Sequence, residues 1–125
     1  MKLLVLGGSR FIGYFTLCRL ISEGHDVTIF NRQKTVPPKP FPNGITFYTG
    51  DRNNSESLYK VFSGRVYDAI IDLSGYTNRD IQFVIDNCGT NIGQYIFISS
   101  STVYDTPIPY RVSELHSSQY GDKGA

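Results

Sequence analysis

The sequence predicts an α/β protein built on a doubly wound parallel sheet of five strands in the order 3-2-1-4-5. Two observations predict this fold. Short apolar runs alternate along the chain with segments of helical periodicity, and the first run, Leu3 to Leu6, shows no polar alternation. Such a run should be covered on both faces, as in a parallel sheet between helices, and right-handed crossovers then give the strand order.

The first strand turns directly into the first helix at Gly7-Gly8. The helix should begin at Phe11 and end near Gly24, because glycine readily terminates helices. A helix that follows a glycine turn presents its free N–H groups and its positive dipole end to the space above the turn, which favours a phosphate there. The apolar positions expected to face the core repeat at helical spacing and are Phe11, Tyr14, Phe15, Cys18 and Ile21, with Leu17 and Leu20 beside them.

The second strand carries Val27, Ile29 and Phe30 and ends in Asn31-Arg32. In dinucleotide-binding sheets an acid at this tip accepts a hydrogen bond from the 2′-hydroxyl of the NAD ribose, whereas an arginine accommodates the 2′-phosphate of NADP. The acid is absent here and an arginine follows its place, so the tip favours NADP. The alternative is that Asn31-Arg32 only begins a loop.

Residues 33–44 contain prolines at positions 37, 38, 40 and 42, which exclude a helix from the second crossover. We therefore expect an extended loop there. A third strand, Ile45 to Tyr48, then ends in Gly50-Asp51. Judged from its residue type alone, Asp51 also fits a turn position or the cap of the next helix.

A second helix should be capped by Asn54 or Ser55 and should end at Gly64. A fourth strand should run from Tyr67 to Leu73, with the small residues Ser74-Gly75 directly after it.

The third helix should start at a capping box, with Thr77 as the cap and Asp80 three residues later. Gly89 or Gly93 should end this helix, and the fifth strand should run from Gln94 to Ile98. Since no further strand follows in this sequence, the fifth strand should have an unpaired apolar edge, which predicts a homodimer through that edge.

The glycine turn resembles that of a known family. Gly7, Gly13 and the intervening Phe11-Ile12 match the turn of extended short-chain dehydrogenase/reductase proteins, while Arg10 stands where the family has its middle glycine. With the Asn-Arg tip and the helix-free crossover, the chain is most similar to a subgroup of this NAD-dependent epimerase/dehydratase family with the turn Gly-Gly-Thr-Arg-Phe-Ile-Gly. The resemblance implies that residues 1–125 form a Rossmann NAD(P)-binding domain, C-terminally truncated relative to the family and without its substrate domain.

The resemblance also implies which residues contact the cofactor. Asp51 would bond the adenine amino group, and Ser74-Gly75 would let the backbone pass under the ribose and pyrophosphate. Arg10 would lay its guanidinium on a phosphate, or else would face solvent from a loop. The full set implied for NADP or NAD is Gly7, Ser9, Arg10, Phe11, Ile12, Gly13, Asn31, Arg32, Asp51, Arg52, Leu73, Ser74 and Gly75.

A second stretch of resemblance, residues 99–104, bears on catalysis. It is similar to the family's serine-rich segment that ends in Val-Tyr. Ser100 matches the catalytic serine, and Thr102 or Ser101 is the nearest alternative hydroxyl. The family's tyrosine needs a nearby lysine, because an unperturbed phenol is a poor base at neutral pH. Tyr120 and Lys123 are the candidates for that pair, but they lie three residues apart where the family has four. The alternative is a tail that holds no catalytic pair.

Composition excludes several other classes of protein. The formal charge is +1, with 12 basic and 11 acidic side chains mixed along the chain, so no nucleic-acid footprint is visible. The apolar runs are too short to span a membrane, and we expect a cytoplasmic protein. Cys18 and Cys88 fall at apolar helical positions and should be free thiols, with neither a disulfide nor a metal site.

Together these patterns predict the NAD(P)-binding domain of a nucleotide-sugar epimerase/dehydratase-like oxidoreductase. NADP is favoured, a sugar nucleotide is a further expected partner, and this chain alone should show little or no catalysis. Two alternatives stay open. One is an RNA-binding protein of the chloroplast stem-loop-binding type, which belongs to the same subgroup, and the other is a non-catalytic interaction module.

Overall fold

The computed structural model describes residues 1–34 and 36–100, which form one parallel sheet flanked by helices. The strand order is β3-β2-β1-β4-β5, and every pair of neighbours is parallel, so the predicted fold class and order are confirmed. The strands are β1 (Lys2–Leu6), β2 (Asp26–Asn31), β3 (Ile45–Thr49), β4 (Tyr67–Asp72) and β5 (Ile92–Phe97). The helices are α1 (Phe11–Ser22), α2 (Ser55–Phe62) and α3 (Asn78–Cys88).

The central strand β1 is buried on both faces, as its unbroken apolar run predicts. One face of the sheet packs under α1, and the opposite face packs under α2 and α3. The α1 side of the core contains Val5, Leu17, Val27 and Ile29. The α2/α3 side contains Leu4, Leu6, Phe30, Leu58, Val61, Phe62, Tyr67, Ile70, Val84 and Cys88.

The buried face of α1 differs from the predicted stripe. Gly13, Tyr14 and Leu17 are the buried positions of the helix, whereas Phe11 and Phe15 are exposed. Gly13 packs closely against Gly8 of the glycine turn, so the buried face of the helix contains its smallest residue. Helical spacing predicted the helix correctly, but it assigned Phe11 and Phe15 to the core-facing side, and the structure exposes both.

The second crossover is the extended loop that its prolines predict. In the described part of residues 33–44 the chain forms neither helix nor strand, and Phe41 folds back under α1. Its ring lies 5.9 Å from that of Tyr14 and 5.3 Å from that of Phe47. The Tyr14 hydroxyl donates to the carbonyl oxygen of Pro40 at 3.1 Å. Aromatic packing therefore covers the part of the sheet where a helix would otherwise lie.

Both predicted helix caps are present. Asn54 accepts a hydrogen bond from the Ser57 N–H at 2.8 Å, which selects it over Ser55 as the cap of α2. Thr77 and Asp80 form the full capping box at the start of α3.

The last two strands have different limits from those predicted. β4 ends at Asp72, one residue early, and β5 begins at Ile92 rather than Gln94. Gly93 belongs to the strand because a Cβ there would lie 2.7 Å from the carbonyl oxygen of Asp68, so only glycine fits against β4. Of the two glycines predicted to end α3, Gly89 is its C-cap and Gly93 is not.

Strand β5 pairs only with β4 among the described residues, and Ile96 and Phe97 are partly exposed there. The homodimer through this edge stays a prediction. Cys18 and Cys88 are free thiols. Within the same described ranges, no helix combines the length and the apolar character that a membrane span requires.

Candidate functional site

The turn between β1 and α1 requires glycine at two consecutive positions. Gly7 has φ +97° and Gly8 has φ +88°, a region that L side chains rarely adopt. A Cβ on Gly7 would also lie 3.1 Å from the Cβ of Ser74. Because these two residues have no side chains, the turn can pack closely against the residues after β4, and its backbone lines the groove.

Gly13 allows α1 to approach this turn closely. A Cβ at Gly13 would lie 2.7 Å from the Cα of Gly8, closer than real side chains come to backbone. Arg10 differs in kind, because its φ of −134° and ψ of 158° are ordinary extended values. The backbone needs no glycine at Arg10, so an arginine is accommodated where the family has its middle glycine.

The N-terminus of α1 is open towards the same space. Arg10 is the N-cap residue but its side chain makes no capping hydrogen bond, and the first turn contains no acid. The first N–H groups of a helix lack intrahelical acceptors, and the dipole adds positive potential. Phe11 at the helix start has φ +45°, a strained value for a bulky residue, and strain of this kind clusters at functional sites. This end of α1 has the properties of an anion site.

The side chain of Asn31 links the tip of β2 to the glycine turn. Its amide donates to the carbonyl oxygen of Gly7 at 3.2 Å and to the Ser9 hydroxyl at 3.0 Å. Its carbonyl oxygen accepts the Gln33 N–H at 2.8 Å. Asn31 therefore fixes the position of the turn. The neighbouring Arg32 makes no ion pair with any described residue.

Asp51 has the turn position that its residue type suggested, and its bond to the adenine amino group stays a prediction. Its Oδ1 accepts the Asn53 N–H at 2.9 Å, and its carbonyl oxygen accepts the Asn54 N–H at 3.1 Å. The side chain is exposed, and its second carboxylate oxygen has no hydrogen bond within the part of the chain that the structure describes. One oxygen therefore stabilises the loop, and the other is left for a ligand or water.

A buried ion pair ties the loop after β3 to the end of β4. Both terminal nitrogens of Arg52 donate to Asp72, each at 2.7 Å, and Asp72 is 0% exposed. Tyr95 on β5 donates its hydroxyl to the same carboxylate at 2.5 Å. The N–H groups of Ser74 and Gly75 donate to Asp72 Oδ1, both at 3.0 Å. We call these contacts the Asp72 network, and they join the end of β4 to the loop after β3, to the loop after β4 and to strand β5.

The Asp72 network determines the protonation state of its carboxyl group. Burial raises the pKa of Asp72, but the hydrogen bonds from Arg52, from the Tyr95 hydroxyl and from the Ser74 N–H outweigh burial, so the pKa lies below its ordinary value. The carboxylate is charged at neutral pH. Burial and the hydrogen bond to Asp72 raise the pKa of the Tyr95 phenol, which therefore stays protonated.

We expect the protein to lose stability in acid through this carboxyl group. Because the pKa of Asp72 is lower folded than unfolded, its contribution is complete above the unfolded value near pH ~4 and is lost as pH falls through the folded value. Circular dichroism of acid unfolding should show that Asp72→Asn flattens the fall in the free energy of unfolding below pH ~4. An unchanged acid slope in this variant would show that Asp72 titrates alike in both states.

These features surround one groove of about 660 Å³ at the carboxyl edge of the sheet. The expected cofactor-binding residues line it, apart from Gly75, whose N–H is bonded below to Asp72. Ser100 follows β5, is exposed, and is not among the lining residues. Tyr120 and Lys123 lie outside the described residues. The lining residues that the sequence analysis did not name as cofactor contacts are Gly8, Phe30, Gln33, Lys34, Gly50, Asn53, Tyr76 and Asp80.

Among the residues that the sequence analysis did not name for the site, Asp72 and Tyr76 differ in the signal that the sequence held. Asp72 had a detectable signal, since an acid inside an otherwise apolar strand is almost never buried without a partner. Tyr76 had none, because an aromatic residue after a strand is usually part of the core. The guanidinium of Arg52 faces Asp72, so this residue forms part of the groove floor; a direct contact of Arg52 with a cofactor stays a prediction.

The groove and the fold can be compared with known proteins. The family model of the NAD dependent epimerase/dehydratase family matches residues 3–88. The chain is 31% identical to a chloroplast stem-loop binding protein of 41 kDa from Arabidopsis thaliana, over 82% of this chain and 30% of that protein. It is 30% identical to UDP-glucose 4-epimerase from Erwinia amylovora, over 88% of this chain and 40% of that protein. The chain thus spans well under half the length of these two relatives.

Solved structures show the same fold. Pal from Bacillus thuringiensis superposes with a TM-score of 0.79 at 21% identity, over 95% of this chain and 45% of that protein. UDP-glucose 4-epimerase from Thermus thermophilus in complex with NAD superposes with a TM-score of 0.76 at 18% identity, over 95% of this chain and 44% of that protein.

Proposed function

This chain belongs to the NAD dependent epimerase/dehydratase family, and from that premise we propose that its groove binds a nicotinamide dinucleotide. The observation that carries the proposal is the turn from Gly7 to Gly13, where two positive-φ glycines and an uncapped helix start make room and positive potential for a pyrophosphate. A structural relative from Thermus thermophilus is a complex with NAD. Residues 1–125 are, in this proposal, the cofactor-binding domain.

We infer further that NADP is preferred to NAD. A preference for NAD would need a carboxylate at the tip of β2 to accept from the 2′-hydroxyl. The residue at that tip is Asn31, and its side-chain amide is already bonded to the turn and to Gln33. Arg10, Arg32 and Lys34 all line the groove and supply cations for a 2′-phosphate.

Calorimetric titration with NADPH and NADH tests both parts of this proposal. We expect NADPH to bind more tightly, and Arg32→Ala to weaken NADPH by about tenfold or more, since a hydrogen bond to a charged group is lost. NADH binding should not change.

The matched control is Lys39→Ala, which removes the same charge from the proline-rich loop outside the groove and should leave both affinities unaltered. If Arg32→Ala weakens the binding of NADPH and NADH equally, Arg32 contacts a group that both cofactors share, and the proposed preference for NADP is wrong. If neither cofactor binds the wild-type chain, dinucleotide binding itself is wrong.

The reaction of the whole protein is proposed as hydride transfer between the nicotinamide and a nucleotide-sugar carbon. This proposal is supported by the similarity to UDP-glucose 4-epimerases. The chain covers 40% of the Erwinia amylovora protein. Ser100, Tyr120 and Lys123 stay the predicted catalytic residues, and we propose little or no turnover by this chain alone.

RNA binding is the second candidate function, favoured by the similarity to a chloroplast stem-loop binding protein. The formal charge of +1 weighs against it, because affinity for nucleic acid comes mainly from neutralising phosphates. The cations of the groove suit one nucleotide better than a polyanion, so dinucleotide binding remains the proposal.

A further inference from the structure

One aromatic ring on the groove wall has no role in the site described so far. Tyr76 follows the Ser74-Gly75 loop, lines the groove and is 92% exposed, more than any other aromatic side chain among the described residues. Within those residues its ring has no aromatic or cationic partner. A large ring presented to a concave polar site is available for a ligand.

The backbone that carries this ring is held in place from two sides. The Tyr76 N–H donates to Asp80 Oδ2 at 3.1 Å, within the capping box of α3. The preceding Gly75 N–H donates to Asp72 Oδ1 at 3.0 Å, and a Cβ at Gly75 would lie 3.0 Å from Asp72 Oδ2. The ring is therefore exposed but its starting point is fixed, which lowers the cost of ordering it against a ligand.

Hydrogen bonds place Tyr76 at the β3 end of the groove. Asp80, which accepts the Tyr76 N–H through one oxygen, accepts the Asn53 side-chain amide through the other at 3.2 Å. Asn53 in turn donates its N–H to Asp51 at 2.9 Å. Tyr76 is thus linked through two side chains to the residue predicted to bond the adenine amino group.

We propose that the Tyr76 ring stacks on the adenine base of the bound dinucleotide. The inference rests on the proposed function. Asp51, Asn53 and Asp80 supply polar groups that suit the edge of a base, but a base also has an apolar face that gains by leaving water. Phe11, the other strongly exposed aromatic residue of the groove, lies at the anion end beside Arg10. Tyr76 is the ring placed to cover the base.

Titration of the full chain with NADPH, 5′-AMP and nicotinamide mononucleotide tests this inference. Tyr76→Ala should weaken NADPH and 5′-AMP by about tenfold, because stacking of a base on an aromatic side chain is worth that much or more. Nicotinamide mononucleotide, which lacks adenine, should bind unchanged. Tyr76→Phe should keep wild-type affinity because stacking needs the ring and not the hydroxyl.

The matched control is Tyr59→Ala, which removes another exposed tyrosine from α2, outside the groove, and should alter none of the three affinities. In proton NMR, nuclear Overhauser contacts between adenine and tyrosine ring protons should appear in the wild type and vanish in Tyr76→Ala.

The outcomes separate this inference from the proposed function. If the wild type binds NADPH and Tyr76→Ala binds NADPH and 5′-AMP as tightly, stacking is wrong and dinucleotide binding stands. If Tyr76→Ala weakens nicotinamide mononucleotide instead of 5′-AMP, the ring serves the other end of the ligand and the inference is wrong. If the wild type binds none of the three ligands, the proposed function fails and this inference fails with it.

Discussion

Arg52→Ala should lower the free energy of unfolding by about 3–5 kcal/mol, because it leaves a buried carboxylate without its counter-charge. Asp72 is fully buried, and the Arg52 side chain that pairs with it through both terminal nitrogens is only 11% exposed. Since whole domains are stable by about 5–15 kcal/mol, this single change should bring the protein close to unfolding. Urea denaturation followed by circular dichroism measures the effect.

Two control variants show whether the loss of stability comes from the ion pair. Arg79→Ala removes an exposed arginine from the first turn of α3 and should change stability by no more than about 0.5 kcal/mol. Arg52→Lys keeps the charge but loses the two-pronged contact, so its stability should lie between those of Arg52→Ala and the wild type. A loss of less than 1 kcal/mol in Arg52→Ala would mean that water or another cation satisfies Asp72, contrary to the geometry.

The second large effect is expected from Gly13→Ala. Alanine normally favours a helix over glycine by about 1 kcal/mol. Here the new methyl group would lie 2.7 Å from the Cα of Gly8, and backbone cannot move aside as a flexible side chain can. Either α1 or the glycine turn must shift, at a net cost of about 1–3 kcal/mol. NADPH affinity should fall at least tenfold, because the turn that faces the pyrophosphate is displaced.

Thr16→Ala is the control on the same helix, since its hydroxyl bonds only to the Ile12 carbonyl one turn earlier. It should leave NADPH affinity unchanged. Both variants are measured by urea denaturation and by calorimetric titration. A Gly13→Ala protein with wild-type affinity would show that the close approach of α1 to the turn is not needed for binding, and would remove the structural argument for that glycine.

Local chemistry made most of the fold predictable. The βα periodicity, the capping box at Thr77 and the prolines of the second crossover each specify their element within a few residues of sequence. The errors came from positions where a distant strand decides the outcome. Gly93 lies in β5 close against Asp68 of β4, and α1 buries Gly13 against Gly8 of the turn while Phe11 is exposed.

The groove was predictable in the same uneven way. The glycine turn and the Asn31-Arg32 tip follow from the chain's own sequence. The Asp72 network does not, because its partners come from the loop after β3, from β4 and the loop after it, and from β5, and the sequence contains no signal for which arginine pairs with Asp72. Both terminal nitrogens of Arg52 are bonded to Asp72 on β4, and its predicted contact with a ligand stays a prediction.

The position of β1 in the middle of the sheet has a consequence for the order of folding. Leu3 pairs with Val27 of β2 on one side and with Ala69 of β4 on the other. The chain segment that must close to form the β1–β2 pair is therefore much shorter than the segment that must close to form the β1–β4 pair. The shorter loop loses less chain entropy, and it leaves the ribosome first. We expect β1, β2 and α1 to assemble early, while the other edge of β1 stays unpaired until β4 forms. The glycine turn would then form before the contacts of the Asp72 network, which need β4 and β5.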